Sequence, residues 1–526
     1  MKLSSEQPGS VAPTSARAGT TTAGTATGVA SLATPTMEEA CAIADSGSYR
    51  RIPIRRELLA DRFTPVEILR SVRAASNHCF LLESAEPDRQ WGRYSFIGFN
   101  PSEEITCCNG ELVITHNVEH SPQVERQQVN HPGDAVRAVL ADHASPRLPG
   151  FPPFSGGLMG YFSYDYLKYA EPVLRRDETE QRDFLDMDLM VFDTIIALDS
   201  HEQKVHLIAS VDAADVKETY PRALAELDRM QAILESGIKY AFAPIHLENE
   251  LEPQFKEERY EEMVEQAKKH IHDGDIFQVV LSNPLTAPAE GSLFDTYRIL
   301  RCTNPSPYMV FMTSENIEVA AASPETLVRL ENGKLFTYPL AGTRPRGTTE
   351  EADLEAKRDL LSDEKELAEH NMLVDLGRND IGRVAKLGSV HVERYLDVLR
   401  FSHVMHIGST VCGDIADECD AMDVIDSVLP AGTLSGAPKI RACQIIQEQE
   451  GVKRGIYGGA IGYLDFTGNL DTCIGIRLAY KKDGKVCVQS GAGIVADSVP
   501  AHEFAECRNK ARAVVEALHA AEGGIR

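Results

Sequence analysis

Short apolar stretches of strand length recur along this chain, bounded by turn residues, and never settle into a regular strand–helix alternation. His78-Cys-Phe-Leu-Leu82, Tyr94-Ser-Phe-Ile97 and Glu111-Leu-Val-Ile-Thr115 are three of them. Two more lie between Asp186 and Leu207, where a hairpin is expected. Amphipathic helices are interspersed. Over Val216 to Leu234, Ala223, Leu224, Leu227, Met230 and Ile233 fall at helical spacing. Without a strict βα order a doubly wound parallel sheet is disfavoured, and an α+β fold is expected. At 526 residues the chain exceeds what one small module needs.

The organisation reads in three parts. Ala, Gly, Ser, Thr and Pro supply 27 of the first 37 residues, and only Lys2, Glu6 and Arg17 are charged there. Such a stretch buries too little apolar surface to offset its ordering entropy, so residues 1–45 are expected to be a disordered tail. A transit peptide would want several arginines, and the stretch has one. A cytoplasmic location is therefore expected, with a plastid as the alternative if the tail is cleaved. Residues 46–245 form a first region. Ala241 to Pro253, acidic and with two prolines, reads as a linker, and 255–520 form a second region.

Charge narrows the function. With 79 acidic and 53 basic residues the formal net charge is −26. General nucleic-acid binding is excluded, since phosphate contacts need clustered Lys and Arg. An anionic substrate would need a metal or local cations to reverse the field. The eleven cysteines are odd in number and contain no Cys-x-x-Cys, which reads as reduced thiols.

Five stretches of the second region carry chemistry. After an N-cap at Ser362 or Asp363, a helix would place Glu366, Glu369, His370 and Leu373 on one face. A second helix, opened by Pro500, would place Glu503, Glu506 and Lys510 on one face and Phe504, Cys507, Ala511, Val514 and Leu518 on another. Two Glu-x-x-Glu helices could converge on Mg²⁺, which needs few protein carboxylates. Each pair is equally at home on a solvated surface, and spacing alone favours that. Tyr338 to Gly347 offers Thr343, Arg344 and Arg346 as donors beside two glycines, or is a loop with ordinary surface arginines. Gly432 to Lys439 opens a helix and is either an anion site or a plain cap. Gln489-Ser-Gly-Ala-Gly-Ile494 ends a strand with glycines, which suits a ligand near the backbone. Arg477 interrupts an apolar run, so a buried Arg is expected, needing an anionic partner that is either a protein carboxylate or a ligand. His406 sits in an apolar context, where a satisfied core histidine is the ordinary outcome.

Together these stretches resemble the chorismate-utilising enzymes. Gly274-Asp-Ile-Phe-Gln-Val-Val-Leu-Ser282, Ala322-Ser-Pro-Glu325, Ala341-Gly-Thr-Arg-Pro-Arg-Gly347, Glu369-His370, Leu376-Gly-Arg-Asn-Asp380, Gly432 to Lys439 and the Glu503/Glu506 helix all occur in the family's order. The resemblance implies an α+β chorismate-utilising fold, an antiparallel β-sandwich core with helices packed outside. Water-using members carry a lysine base where this chain has Gln278, which implies an ammonia-using member. Ala341, where the aminodeoxychorismate-forming members have lysine, implies the anthranilate-forming branch. That branch converts chorismate and ammonia to anthranilate and pyruvate.

The resemblance further implies residue roles. Glu369 and Glu506 would hold Mg²⁺, with Glu366 and Glu503 beside them. Tyr457 and Arg477 would hold the enolpyruvyl carboxylate. Gly342, Thr343, Thr433, Gly491, Ala492 and Gly493 would fix the ring and carboxylates, with Lys510 nearby. Glu325 would be the general acid and His406 would assist loss of pyruvate. Glu83, Ser84, Arg93, Asn304, Pro307, Tyr308 and Met309 would form a feedback site for L-tryptophan. No Gly-x-Cys-x-Gly nucleophile segment appears, so a separate glutamine amidotransferase subunit is expected to supply ammonia. A ligand-binding sensor without activity is the other class of reading. Intact acid, metal and arginine positions weigh against it.

Overall fold

Strand Cys79–Glu83 shows how the chain is layered. Cys79 and Leu81 enter one apolar cluster, while Phe80 and Leu82 enter another. Its neighbour Tyr308–Thr313 behaves alike, with Met309 and Phe311 on one side and Tyr308, Val310 and Met312 on the other. Successive strand residues point to opposite faces, so strands buried on both faces lie in an inner layer.

The computed structural model describes residues 33–85, 92–175, 184–400 and 404–525. Two antiparallel sheets form the centre. The first runs Arg51–Leu59, Lys204–Asp212, Thr194–Asp199, Tyr94–Phe99, Cys79–Glu83, Tyr308–Thr313, Glu318–Ser323, Leu478–Lys482, Lys485–Ile494 and Gln278–Glu290. The second runs Leu340–Pro345, Val404–Asp414, Lys334–Thr337, Thr326–Glu331, Leu470–Ile474, Ala460–Asp465, Gly157–Phe162, Met187–Phe192, Glu103–Cys108, Glu111–His116 and Gln123–Gln128. The inner faces meet over Phe80, Phe154, Phe192, Val310 and Ile461. Helices cover the outer faces. Pro65–Arg73, Val216–Glu235, Phe294–Thr303 and Pro500–Ala521 pack on the first sheet, and Gly133–Asp142 and Ala421–Val428 on the second. The expected α+β sandwich with helices outside is the observed architecture. No helix among the described residues is long and apolar enough to cross a membrane.

Several local expectations need correction. Within the stretch expected to be a disordered tail, Met37–Ala44 is a helix, and Thr34 bridges to Arg55. Thr36 and Glu39 form a capping box there, a local signal worth about 0.5–2 kcal/mol that composition hides. Residues 1–32 lie outside the described residues. The hairpin expected in 186–207 is two things. Met187–Phe192 belongs to the second sheet, and the chain crosses at Asp193 to pair Thr194–Asp199 with Lys204–Asp212 in the first. The glycines Gly491 and Gly493 do not end a strand but lie within Lys485–Ile494, paired with Ser282 and Val280. The stretch read as a linker is pinned, since His246–Leu247 and Glu252–Pro253 pair with strand Gln278–Glu290. Strands from both sides of it share both sheets.

Candidate active site

The glycines of strand Lys485–Ile494 make the first wall. A Cβ on Gly493 would stand 2.7 Å from Gln278 Nε2, and one on Gly491 would stand 2.9 Å from the Tyr457 hydroxyl. Only glycine lets these two polar side chains lie against the strand. Ala492, between them, points the other way into the cluster of Tyr260, Val264 and Cys443 and is fully buried. Its methyl therefore lines no cleft, and only its backbone belongs to this wall.

Glu325 closes the second sheet's end of the site, just before strand Thr326–Glu331. Burial pushes its carboxyl up to about 7, against the lowering effects of Thr433, Arg477 and Lys510. Thr433, in the turn Gly432–Leu434, directs a buried hydroxyl toward it that has no other partner among the described residues. Behind them a cavity of about 40 Å³, lined by Tyr338, Leu376 and Asp380 among others, has room for water but not for a ring. Arg477 differs from the sequence expectation. Its side chain is open to solvent within the site yet walled in by protein, which lowers its pKa, with Glu325 as the opposing influence. Among the described residues it makes no ion pair within 4 Å, and its backbone is left-handed at φ 50°.

The Gly342 segment is a bulged strand, not a loop. Leu340–Pro345 pairs with Val404–Asp414, with a register shift between Ala341 and Thr343. Gly342 sits at φ 65°, and a Cβ there would meet Leu360 Cδ1 at 2.8 Å and Glu366 Oε2 at 3.2 Å. His406 Nδ1 lies 2.8 Å from Gly342 O and 3.1 Å from Thr343 Oγ1. Burial lowers the His406 pKa. The two arginines of the segment are spent on protein carboxylates. Arg344 binds Asp359 at 2.6 Å, Asp363 at 2.8 Å and Glu366 at 3.4 Å, and Arg346 binds Asp353. They build the site's frame and face no open anion site. Lys439 likewise is tied to Asp380 at 2.8 Å, so the loop before it offers Thr433 but no lysine.

Two helices supply the carboxylates. Asp363 caps Glu364–Gly382 through the Lys365 and Glu366 amides. His370 is fully buried against Ser409 Oγ at 2.7 Å, which locks the helix to strand Val404–Asp414. Glu369 points outward. Burial and the neighbouring Glu366 and Glu506 raise its pKa, while Lys510 and Lys365 lower it. On helix Pro500–Ala521 the expected apolar face is buried, and Glu506 pairs with Lys510 at 2.7 Å. Glu503 lies one turn earlier, partly exposed. The two helices thus bring Glu366, Glu369, Glu506 and Lys510 within electrostatic reach, and Lys510 also acts on Glu325. Among the described residues no three His, Cys, Asp or Glu side chains close into a ready metal shell.

These neighbourhoods chain into one cleft. Glu325 feels Arg477 and Lys510, His406 feels Arg477 and Glu366, and Glu369 feels Glu366, Lys510 and Glu506. A buried carboxyl, an imidazole, a guanidinium with no ion pair among the described residues and a carboxylate pair are brought together from two sheets and two helices. The chorismate binding enzyme family model matches residues 77–516 of this chain. The chain belongs to the chorismate-binding enzyme family. Within that family it is 42% identical over 500 residues to the anthranilate synthase component 1 of Acetivibrio thermocellus, covering 94% of this chain and 99% of the relative. It is 43% identical over 500 residues to that of Pseudomonas aeruginosa, covering 93% and 99%. The crystal structure of anthranilate synthase component I from Streptococcus pneumoniae superimposes with a TM-score of 0.70 at 38% identity, over 81% of this chain and 92% of that one. The menaquinone-specific isochorismate synthase of Escherichia coli shares the fold, with a TM-score of 0.65 at 18% identity over 92% and 98%.

The chorismate-binding fold also places the residues expected at a feedback site. Glu83 ends its strand opposite Met309, and Ala85 N donates to Ser306 O at 3.0 Å. That pairing gathers Glu83, Ser84, Asn304 and Pro307 at one sheet end. The Glu83 carboxylate already accepts from Tyr297 and, at 2.6 Å, from Arg301. Tyr308 and Met309 diverge. Tyr308 turns between the sheets and donates to Asp471 at 2.6 Å, while Met309 is buried under the outer helices. Arg93 is held away by Asp199 at 2.7 Å and Glu202 at 3.1 Å. Sequence reasoning missed the Glu450–Arg454 pair. Both side chains are about 1% exposed, behind Tyr457. An Arg beside a Gly-rich turn carries no local signal of burial.

Proposed function

We propose that this chain is the large subunit of an anthranilate synthase, converting chorismate and ammonia to anthranilate and pyruvate at the entry to tryptophan synthesis. The observation that carries the reading is Gln278 against Gly493, in the cleft of Glu325. A neutral amide there cannot deprotonate water, so the cleft suits a nucleophile that arrives uncharged and already nucleophilic, as ammonia does.

Chorismate carries two carboxylates into a protein of net charge −26. Arg477 and the Tyr457 hydroxyl would take the enolpyruvyl carboxylate. Gly342, Thr343, Thr433 and the backbone of Gly491 to Gly493 would hold the ring, with Lys510 adding positive charge. Ammonia attacks ring carbon 2, the double bonds shift, and the 4-hydroxyl leaves as water with the proton of Glu325. A carboxyl raised to about 7 is still about half protonated near neutrality and can donate that proton. In the second step carbon 2 loses its proton, the bond from the ring to the ether oxygen breaks, the ring becomes aromatic, and the departing enolpyruvate takes up one proton to become pyruvate. His406 would accept the proton, its imidazole kept neutral by burial.

Mg²⁺ fits the carboxylate pair on chemistry: Glu369 is raised by Glu366 and Glu506, and the donors are all hard oxygens. Glu369 and Glu506 would hold it, with Glu366 and Glu503 through water. When bound, it supplies a Lewis acid for the ring carboxylate. Ammonia would come from a separate glutamine amidotransferase subunit, and L-tryptophan would inhibit through the Glu83, Ser84, Asn304, Pro307 and Met309 end of the first sheet.

Product mass settles the reaction. The reading expects loss of the enolpyruvyl group. A product that gains nitrogen but keeps that group would assign the aminodeoxychorismate reaction instead.

A further inference from the structure

The Glu450–Arg454 pair lies at the back of the cleft, touching the substrate wall from three sides. Arg454 Nε and Nη2 donate to Glu450 at 2.9 and 2.6 Å. Nη1 donates to the carbonyl of Leu434 at 2.6 Å, and Nη2 also to that of Val280 at 2.7 Å. Glu450 in turn accepts from Ser282 N at 2.8 Å and Ser282 Oγ at 3.0 Å. The guanidinium lies 4.7 Å from the Tyr164 ring centre and 5.8 Å from that of Tyr457.

Each of those partners carries a cleft residue. Leu434 ends the turn that presents Thr433 to Glu325. Val280 and Ser282 belong to the strand that begins at Gln278. Tyr457 lies three residues after Arg454 and packs on Gly491. Replacing a buried ion pair by apolar side chains is often neutral or stabilising, so stability alone explains such a pair poorly. What it supplies is geometry. A planar fork with several donors in fixed directions can hold a turn, a strand and a ring in one relation, and lysine cannot.

We infer that Arg454, braced by Glu450, is a positioning residue that sets Thr433, Gln278 and Tyr457 relative to one another around the substrate. It touches no reacting atom. The inference rests on the anthranilate-forming reading, because it needs those three side chains to face chorismate. It is separate from the carboxylate helices, whose Glu369 and Glu506 do not contact the pair.

The test is Arg454→Lys in the full chain, assayed beside wild type with chorismate, Mg²⁺ and ammonium. Lysine keeps the charge opposite Glu450 but cannot span Leu434 and Val280 together. Displacement of about 1 Å can cost about 10²-fold, so kcat/KM for chorismate should fall about 10–100-fold, with KM raised. The Mg²⁺ concentration for half activation should not move. The alkaline limb of kcat/KM should shift upward, because Thr433 would no longer hold the Glu325 carboxyl down. A structural role alone would lower the amount of folded enzyme and leave KM, the limb and the Mg²⁺ dependence alone. A folded variant with wild-type KM and limb overturns the inference. Should Arg454→Lys fail to fold, Glu450→Gln is read by the same three measures. Loss of fold in both would assign the pair to folding and overturn it too. Wild type without anthranilate would overturn the reading beneath it, a result distinct from either.

Discussion

His406 donates its Nδ1 proton to the carbonyl oxygen of Gly342, 2.8 Å away, across the bulge between Ala341 and Thr343. A carbonyl can only accept, so the proton is on Nδ1 and the tautomer is set. Nε2 is then the ring nitrogen able to take a proton. A strand bulge made possible by one left-handed glycine thus orients the imidazole.

His406→Ala should lower kcat by about 10²–10³-fold, within the usual span for a positioned acid–base group. KM for chorismate should change far less, and the amino intermediate should accumulate. A variant with near-normal kcat would remove His406 from the second step.

The Glu325 carboxyl predicts a pH limb. Burial raises it to about 7, and a general acid works only while protonated. At constant free ammonia, kcat/KM should therefore fall as pH rises through about 7, and the kcat limb should lie higher because bound chorismate is anionic. Glu325→Gln should lose at least about 10²-fold and show no such limb.

Glu104 and Asp188 form a buried carboxyl pair outside the cleft, facing His78, Glu315 and Ser314. Burial raises both above their ordinary values of 4.5 and 3.8. The folded state therefore holds protons that the unfolded chain releases, and stability falls as pH rises above the ordinary carboxylate range. Asp188→Asn should flatten the fall in Tm between about pH 5 and 8. An unchanged slope would assign the proton elsewhere.

Feedback has its own test. Ser84→Phe, at the sheet end shared with Pro307 and Met309, should relieve inhibition by L-tryptophan while turnover stays near wild type. Undiminished inhibition would move the regulatory site away from that edge.

Much of this was legible in the chain because the signal was local. The apolar face of Pro500–Ala521, the Asp363 cap and the strands Cys79–Glu83 and Tyr94–Phe99 follow from spacing and caps. What failed was decided by distant partners. Nothing near Arg344 or Arg346 tells that helix Glu350–Ser362 and Asp363 will supply Asp353, Asp359 and Asp363 to neutralise them. Arg477 has the same side chain but finds no carboxylate within 4 Å among the described residues, and only the fold separates the two cases. The sheet switch at Asp193 is invisible for a like reason: both flanking strands are buried almost throughout, with no alternation to mark a face, and pairing chooses their sheet.

The proposed Mg²⁺ site is tested at Glu369. Glu369→Gln should raise the Mg²⁺ needed for half activation by about tenfold or more, since removing one carboxylate from so few protein donors weakens a hard-cation site. Activity unchanged at limiting Mg²⁺ would remove Glu369 as a ligand.

The most direct measurement is anthranilate fluorescence from the purified chain given chorismate, Mg²⁺ and excess ammonium at mildly alkaline pH, repeated with EDTA and with L-tryptophan. Fluorescence that appears, and is abolished by EDTA and suppressed by tryptophan, is the predicted result. Chorismate consumed without anthranilate, or no consumption even with an added amidotransferase subunit and glutamine, would contradict the assignment.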